Sequence, residues 1–179
     1  MSWQAAVAIA IALCLFWGLL ALLMRRARRE YSEAEAGLAD LNALSIESAE
    51  ESATRAMADW SLFRVVAALT EQPIPRVPEG VQKLFRRYER VEAVAAPAIR
   101  LDRGAITPSA THPGYTVIGF GMENSDVEFQ ILCEDGSERV YEAHPDDPLF
   151  PYTSVYHLIL DAASEMRQSR RSSSSSRGY

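Results

Sequence analysis

The apolar positions fall into three regimes along the chain. Ala5 to Met24 is an unbroken run of twenty uncharged residues, AAVAIAIALCLFWGLLALLM. As a helix it spans about 30 Å, the thickness of a bilayer's hydrocarbon core, so it reads as a single transmembrane helix. Trp3 and Trp17 are candidate interface residues. From Glu30 to Asp59 the chain is rich in Ala and Glu, with no Pro and no Gly after Gly37, which favours helix. Leu38, Leu41 and Leu44 step by three behind Ala34, but the next expected apolar positions are Ser45, Ser48 and Ser52. A sustained heptad is absent, and the segment reads as a solvated helical stalk.

From Trp60 onward the helical and strand periods alternate. Trp60, Phe63, Val66, Ala67 and Leu69 mark one apolar helix face. A Pro-punctuated loop, QPIPRVP, follows, and Pro78 suits the first turn of a second helix carrying Val81, Leu84, Phe85, Tyr88 and Val91. Lys83, Arg86, Arg87 and Arg90 lie mostly on its other face, which reads as solvated. Pro97 ends that helix. Ala98 to Arg103 predicts a short strand, and Tyr115 to Phe120, Val127 to Cys133 and Arg139 to Ala143 predict three more. Val127, Phe129, Ile131 and Cys133 alternate with Glu128, Gln130 and Leu132, the pattern of a half-buried strand. Glu134-Asp135-Gly136-Ser137 supplies turn residues for an antiparallel hairpin. Pro145-Asp146-Asp147-Pro148 closes the sheet region. Thr153 or Ser154 then caps a last helix with Val155, Leu158, Ile159, Ala162 and Met166 inward. The predicted class is α+β, a small antiparallel sheet packed with helices behind a transmembrane helix and a helical stalk.

Charge adds orientation. Arg25, Arg26, Arg28 and Arg29 follow the apolar run, and no Lys or Arg precedes it. The positive-inside rule places the N-terminus outside and the rest in the cytoplasm, a single-pass protein of the inner (cytoplasmic) membrane. MSWQ lacks the basic start of a cleaved leader, Leu23-Met24-Arg25 lacks the small residues of a cleavage site, and Leu13 before Cys14 is too bulky for a lipoprotein cut. The predicted organisation is an anchor with basic flank over 1–29, an acidic stalk over 30–59, a folded domain over 60–168 and a disordered Ser/Arg tail over 169–179. The net charge of −6 argues against nucleic acid as the main partner.

No dedicated chemistry stands out. His112, His144 and His157 show no HxxxH or HExxH spacing, and with Cys14 and Cys133 alone there is no CxxC, so no metal site is expected. There is no GxxxxGK[ST], and Gly119-Phe120-Gly121 leads into Met122-Glu123-Asn124 without a third Gly. Cys133 with a histidine would make a nucleophilic pair, but a strand-core thiol is the plainer reading. No catalytic residue, metal or cofactor is expected.

Four local features resemble the SMI1/KNR4 (SUKH) family. These are the entry and helix IPRVPEGVQKLFRRYERVEA, the strand Tyr115-Thr116-Val117-Ile118-Gly119, the hairpin QILCEDGSERVYE, and Tyr152-Thr153-Ser154 opening the last helix. They cover Trp60 to Ala163. The family's Asn-Gly-Gly after the early helix is replaced by Arg90-Val91-Glu92-Ala93, and Tyr156 and Leu160 match its final aromatic pair imperfectly. The resemblance implies a non-catalytic, protein-binding domain; many bacterial members are thought to be immunity proteins that neutralise toxin domains, and others are scaffolds. On that reading an acidic surface occludes a basic toxin face, with Glu123, Asp126 and Glu128 at one end of the sheet and Glu134, Asp135, Glu138 and Glu142 around the hairpin as contacts. The plain alternative is that these acids keep a small domain soluble. The functional alternative is an inner-membrane scaffold or accessory protein with no toxin partner.

Overall fold

In the computed structural model the described residues are 40, 41, 43–70, 72–95, 98–123, 126–145 and 147–175. The apolar run over residues 5–24 and its arginine flank lie outside them. Among the described residues no helix is long and apolar enough to cross a membrane. The chain divides into two compact units, Met1–Asp40 and Leu41–Tyr179, and the architecture below is that of the second.

Its first element is helix α1, Ile46–Met57. Ser45 caps it, the side chain accepting from the Ser48 N–H at 3.3 Å, and Glu51 pairs with Arg55 one turn on. Ala49, Ala53, Ala56 and Met57 are buried along one side, and this small-residue stripe packs on the last helix. The second half of the presumed stalk is therefore part of the core. The compact unit starts at Leu41, not at Trp60.

The expected helix after Trp60 is instead strand β1, Phe63–Ala67. Helix α2, Glu79–Arg87, follows the proline loop and buries Val81, Leu84 and Phe85. It stops earlier than predicted, because Tyr88–Ala93 is strand β2. Strands β3 (Ala98–Asp102), β4 (Thr107–Pro108), β5 (Tyr115–Glu123), β6 (Asp126–Glu134), β7 (Val140–Ala143) and β8 (Phe150–Tyr152) follow. β8 is an extra strand beyond the proline turn predicted to close the sheet. Helix α3, Val155–Ser175, ends the described chain and runs seven residues into the segment read as a disordered tail.

The eight strands form one sheet in the order β1-β2-β3-β5-β6-β7-β8, with β4 pairing β5, and every pairing is antiparallel. The β6–β7 hairpin turns at Gly136, whose φ of 79° suits glycine. The α+β class with an antiparallel sheet and helices is thus established. The main core lies between the sheet and the helices, built on Leu62, Phe85, Leu101, Ile131, Leu158 and Ile159. The opposite side of the sheet carries a smaller cluster of Val117, Leu132, Tyr141 and Ala143. That second cluster explains why Leu132 is buried on the supposedly polar face of its strand. A Cβ on Gly121 would overlap the Phe129 ring, so glycine there makes room for an aromatic that reaches the site below.

Candidate functional site

Between α3 and the far end of the sheet lies a cavity of about 220 Å³, lined by Ile99, Phe129, Glu142, His144, Tyr152, Leu158, Asp161, Ala162 and Glu165. The register builds its floor. Val140 pairs with Tyr152 and Glu142 with Phe150, so Glu142 and Tyr152 share the face turned to α3. His144, two residues beyond Glu142, stacks on Phe129 of β6 at a centroid distance of 4.2 Å. The roof is one helical stripe, Leu158, Asp161, Ala162 and Glu165, spaced by three and four.

Tyr152 sits at the centre. Its hydroxyl lies 3.1 Å from Glu142 Oε1 and 3.1 Å from Asp161 Oδ2. His144 Nε2 lies 3.5 Å from Glu142 Oε2. Burial raises the Glu142 carboxyl above its ordinary range, against opposing hydrogen bonds from Tyr152 and His144. Burial also raises Asp161, opposed by the Tyr152 bond. Glu165 stands at the rim, exposed as a residue. Burial of its carboxylate, then the charges of Asp161 and Glu142, push it up to about 7. Burial and the two carboxylates hold the Tyr152 phenol far above its ordinary value. Burial thus favours the protonated form of all three carboxyl groups. Among the described residues no group of His, Cys, Asp and Glu side chains is placed to hold a metal ion.

The opposite end of the sheet is apolar and open. α1 and β1 are joined by a tight turn in which Asp59 accepts from Ser61 N–H at 2.9 Å and from Ser61 O–H at 2.6 Å. Those bonds from Ser61, with Arg170 and Arg167 nearby, hold the Asp59 carboxyl below its usual range against slight desolvation. Arg170 of α3 donates to the Ser61 carbonyl. The turn projects Trp60, which is 90% exposed. Beside it a groove of about 290 Å³ is lined by Met57, Ala58, Trp60, Phe63, Arg64 and Val65. β1 is the terminal strand; Arg64, Val65, Val66 and Ala67 are all exposed. At its far end Leu69 is 95% exposed. Next to it Ala68 N–H bonds to the Arg87 carbonyl, and Arg103 donates to the carbonyls of Thr70, Gln72 and Phe85.

The acids singled out in the sequence are dispersed. Glu123 and Asp126 are register partners where β5 meets β6, and Glu128 follows on β6; the side chains of all three lie outside the described residues. Glu134 and Asp135 are exposed at the β6–β7 turn, Glu134 accepting from the Tyr141 hydroxyl at 3.5 Å. Glu138 turns inward and caps α2, accepting from the N–H groups of Glu79 at 2.9 Å and Gly80 at 3.0 Å. Pro78 at the N-cap offers no such side-chain bond, so Glu138 supplies it from across the fold. Glu142 belongs to the cavity. Asp161 and Glu165 escaped the sequence reading, and His144 was weighed there only as a metal ligand or as a partner for Cys133. The only signal is the placing of Asp161 and Glu165 beside the inward positions Leu158 and Ala162 of the last helix.

Of the residues weighed for chemistry, Cys133 and His157 lie in the core. Cys133 is fully buried, and burial pushes its thiol up to about 12. His157 is also fully buried, with Nδ1 2.8 Å from the Ser154 hydroxyl and Nε2 3.2 Å from the Leu44 carbonyl. A carbonyl only accepts, so Nε2 carries the proton and Nδ1 accepts from Ser154. Burial lowers the His157 pKa. No family model, no curated protein and no solved structure matches this chain.

Proposed function

We infer that the chain is a membrane-tethered, non-catalytic protein-binding module that captures an extended segment of another protein along β1. The anchor is the apolar run Ala5 to Met24, with the domain held on the cytoplasmic side by its arginine flank. The observation that carries the reading is the terminal strand itself. Its residues are exposed from Arg64 to Ala67, and Trp60 and Leu69 are held outward at its two ends by hydrogen-bonded turns. A segment added in β geometry gains main-chain hydrogen bonds from the edge and seats an apolar side chain in the groove beside Trp60. Arg64 lines that groove, and Arg167 and Arg170 act on neighbouring Asp59. In a chain of net charge −6 this local basic rim favours a segment that mixes apolar and acidic residues.

The resemblance to the SMI1/KNR4 family supports the same class of function, and a toxin domain is the partner it implies. A resident envelope protein is the alternative partner. Of the acidic hairpin contacts, Glu138 and Glu142 are engaged inside the domain, so occlusion through β1 is the better-supported geometry than occlusion through that hairpin.

The test is photo-crosslinking of the full chain in native membranes, with the crosslinker at Val66 or at Asp135. The reading expects one partner segment captured at Val66 and lost on Arg64→Glu or Trp60→Ala. The synthesised segment should bind the full chain and lose at least about tenfold in affinity with either substitution. Capture at Asp135 alone would move the interface to the hairpin and overturn the β1 assignment.

A further inference from the structure

We propose that Tyr152, Glu142, Asp161 and Glu165 form a proton-holding latch that ties α3 to the β7–β8 hairpin when the group carries a proton and releases it when the proton leaves. The Tyr152 hydroxyl has one hydrogen and lies 3.1 Å from a carboxyl oxygen of both Glu142 and Asp161. It can donate to one of them only. The other contact is a hydrogen bond only if that carboxyl is protonated and donates to the phenol oxygen. With both carboxylates ionised, two buried negative charges face one donor, and Glu165 adds a third charge one helical turn along α3. The groups facing the latch from every element around it are Glu142 and His144 after it on β7, Tyr152 on β8, and Asp161 and Glu165 on α3. Among the described residues no lysine or arginine lines the cavity. His144, 3.5 Å from Glu142, is the nearest group able to relieve the charge.

The sign follows from where the protons sit. The folded cluster binds protons that the unfolded chain releases near the ordinary value of 4.5 for Glu. Stability from the latch is therefore complete below that value and is lost as pH rises through the folded value of about 7 for Glu165. His157 acts in the opposite sense: its pKa is lowered from 6.5, so its contribution is intact above that value and lost on acidification. Above pH 6.5 the latch slope thus stands clear of His157.

The test is the melting temperature of the full chain from pH 6.5 to 8.5, with infrared spectroscopy of its carboxyl groups. Wild type should lose about 2 °C over that range, the rim position of Glu165 keeping the change modest. Glu165→Gln should flatten the slope, and Asp161→Asn, whose amide supplies the missing hydrogen at every pH, should melt higher than wild type at pH 8.5. The infrared band of a protonated carboxyl should be present at pH 6 and gone by pH 9. This readout needs no substitution. Absence of that band at pH 6 overturns the latch. So does a wild-type slope in both variants, or equal destabilisation of both at the two ends of the range, which would mean ionised carboxylates held by other partners.

Discussion

The two ends of the sheet solve the same problem in opposite ways. At one end, β8 is three residues long and contains Pro151, which has no N–H to offer a neighbour. It is followed directly by α3, and its Tyr152 turns inward to two carboxyl groups. At the other end, β1 is five residues long, has no proline, and leaves Val65 and Val66 41% and 49% exposed. Its one evident guard against chance pairing is Arg64. One edge is closed by covalent geometry and a polar, titratable seam. The other is left open, with apolar side chains exposed along it. A fold that protects one edge so thoroughly makes exposure of the other informative.

The largest expected effect comes from breaking the closed end. Gly121→Val drives a side chain into the Phe129 ring, displaces it from His144, and should destabilise the domain by about 3 kcal/mol as an overpacking change in chemical denaturation. Tyr152→Phe removes the hydroxyl that bridges Glu142 and Asp161. It should cost about 1–2 kcal/mol near neutral pH, and the loss should shrink toward pH 5, where a protonated carboxyl can bond directly to its neighbour. Glu138→Ala removes the long-range cap of α2 and should cost about 1 kcal/mol in denaturation while leaving partner capture unchanged. This separates the hairpin's structural role from a binding role. At the open end the expected stability effect is smallest. Trp60→Ala and Leu69→Ser should each change stability by less than about 0.5 kcal/mol, because both side chains stand in solvent. Their effect should fall on binding instead, which sharpens the contrast between the two ends.

Much of the middle of the fold was legible. The strand over Val127 to Cys133, the Asp-Gly turn and the inward stripe of α3 read correctly because each is a local pattern, even though Leu132 is buried on the face opposite Ile131 and Cys133. β1 did not, and for a physical reason. Beyond buried Phe63 its residues are exposed on both sides, so no strand period is imposed on them, and Trp60, Phe63, Val66 and Ala67 fall by chance at helical spacing. α1 was assigned to a solvated stalk because its buried stripe is alanine, not leucine; close helix packing against α3 favours small side chains that a search for large apolar residues passes over. The latch was invisible for a different reason. Asp161 and Glu165 carry no local signal beyond their place beside the inward positions of α3, and only the β7–β8 register and the docking of α3 bring them to Glu142 and Tyr152. The acidic hairpin shows the converse error: Glu138 and Glu142 are adjacent in sequence pattern, yet one caps a helix and the other enters the cavity.

The central claim is that the open edge is the binding surface. The most direct measurement is amide hydrogen exchange of the full chain with and without the segment captured by crosslinking. The account predicts slowed exchange across Phe63–Ala67, with no change at the turn over residues 134–138. Protection confined to that turn, with β1 exchanging as freely as before, would contradict it.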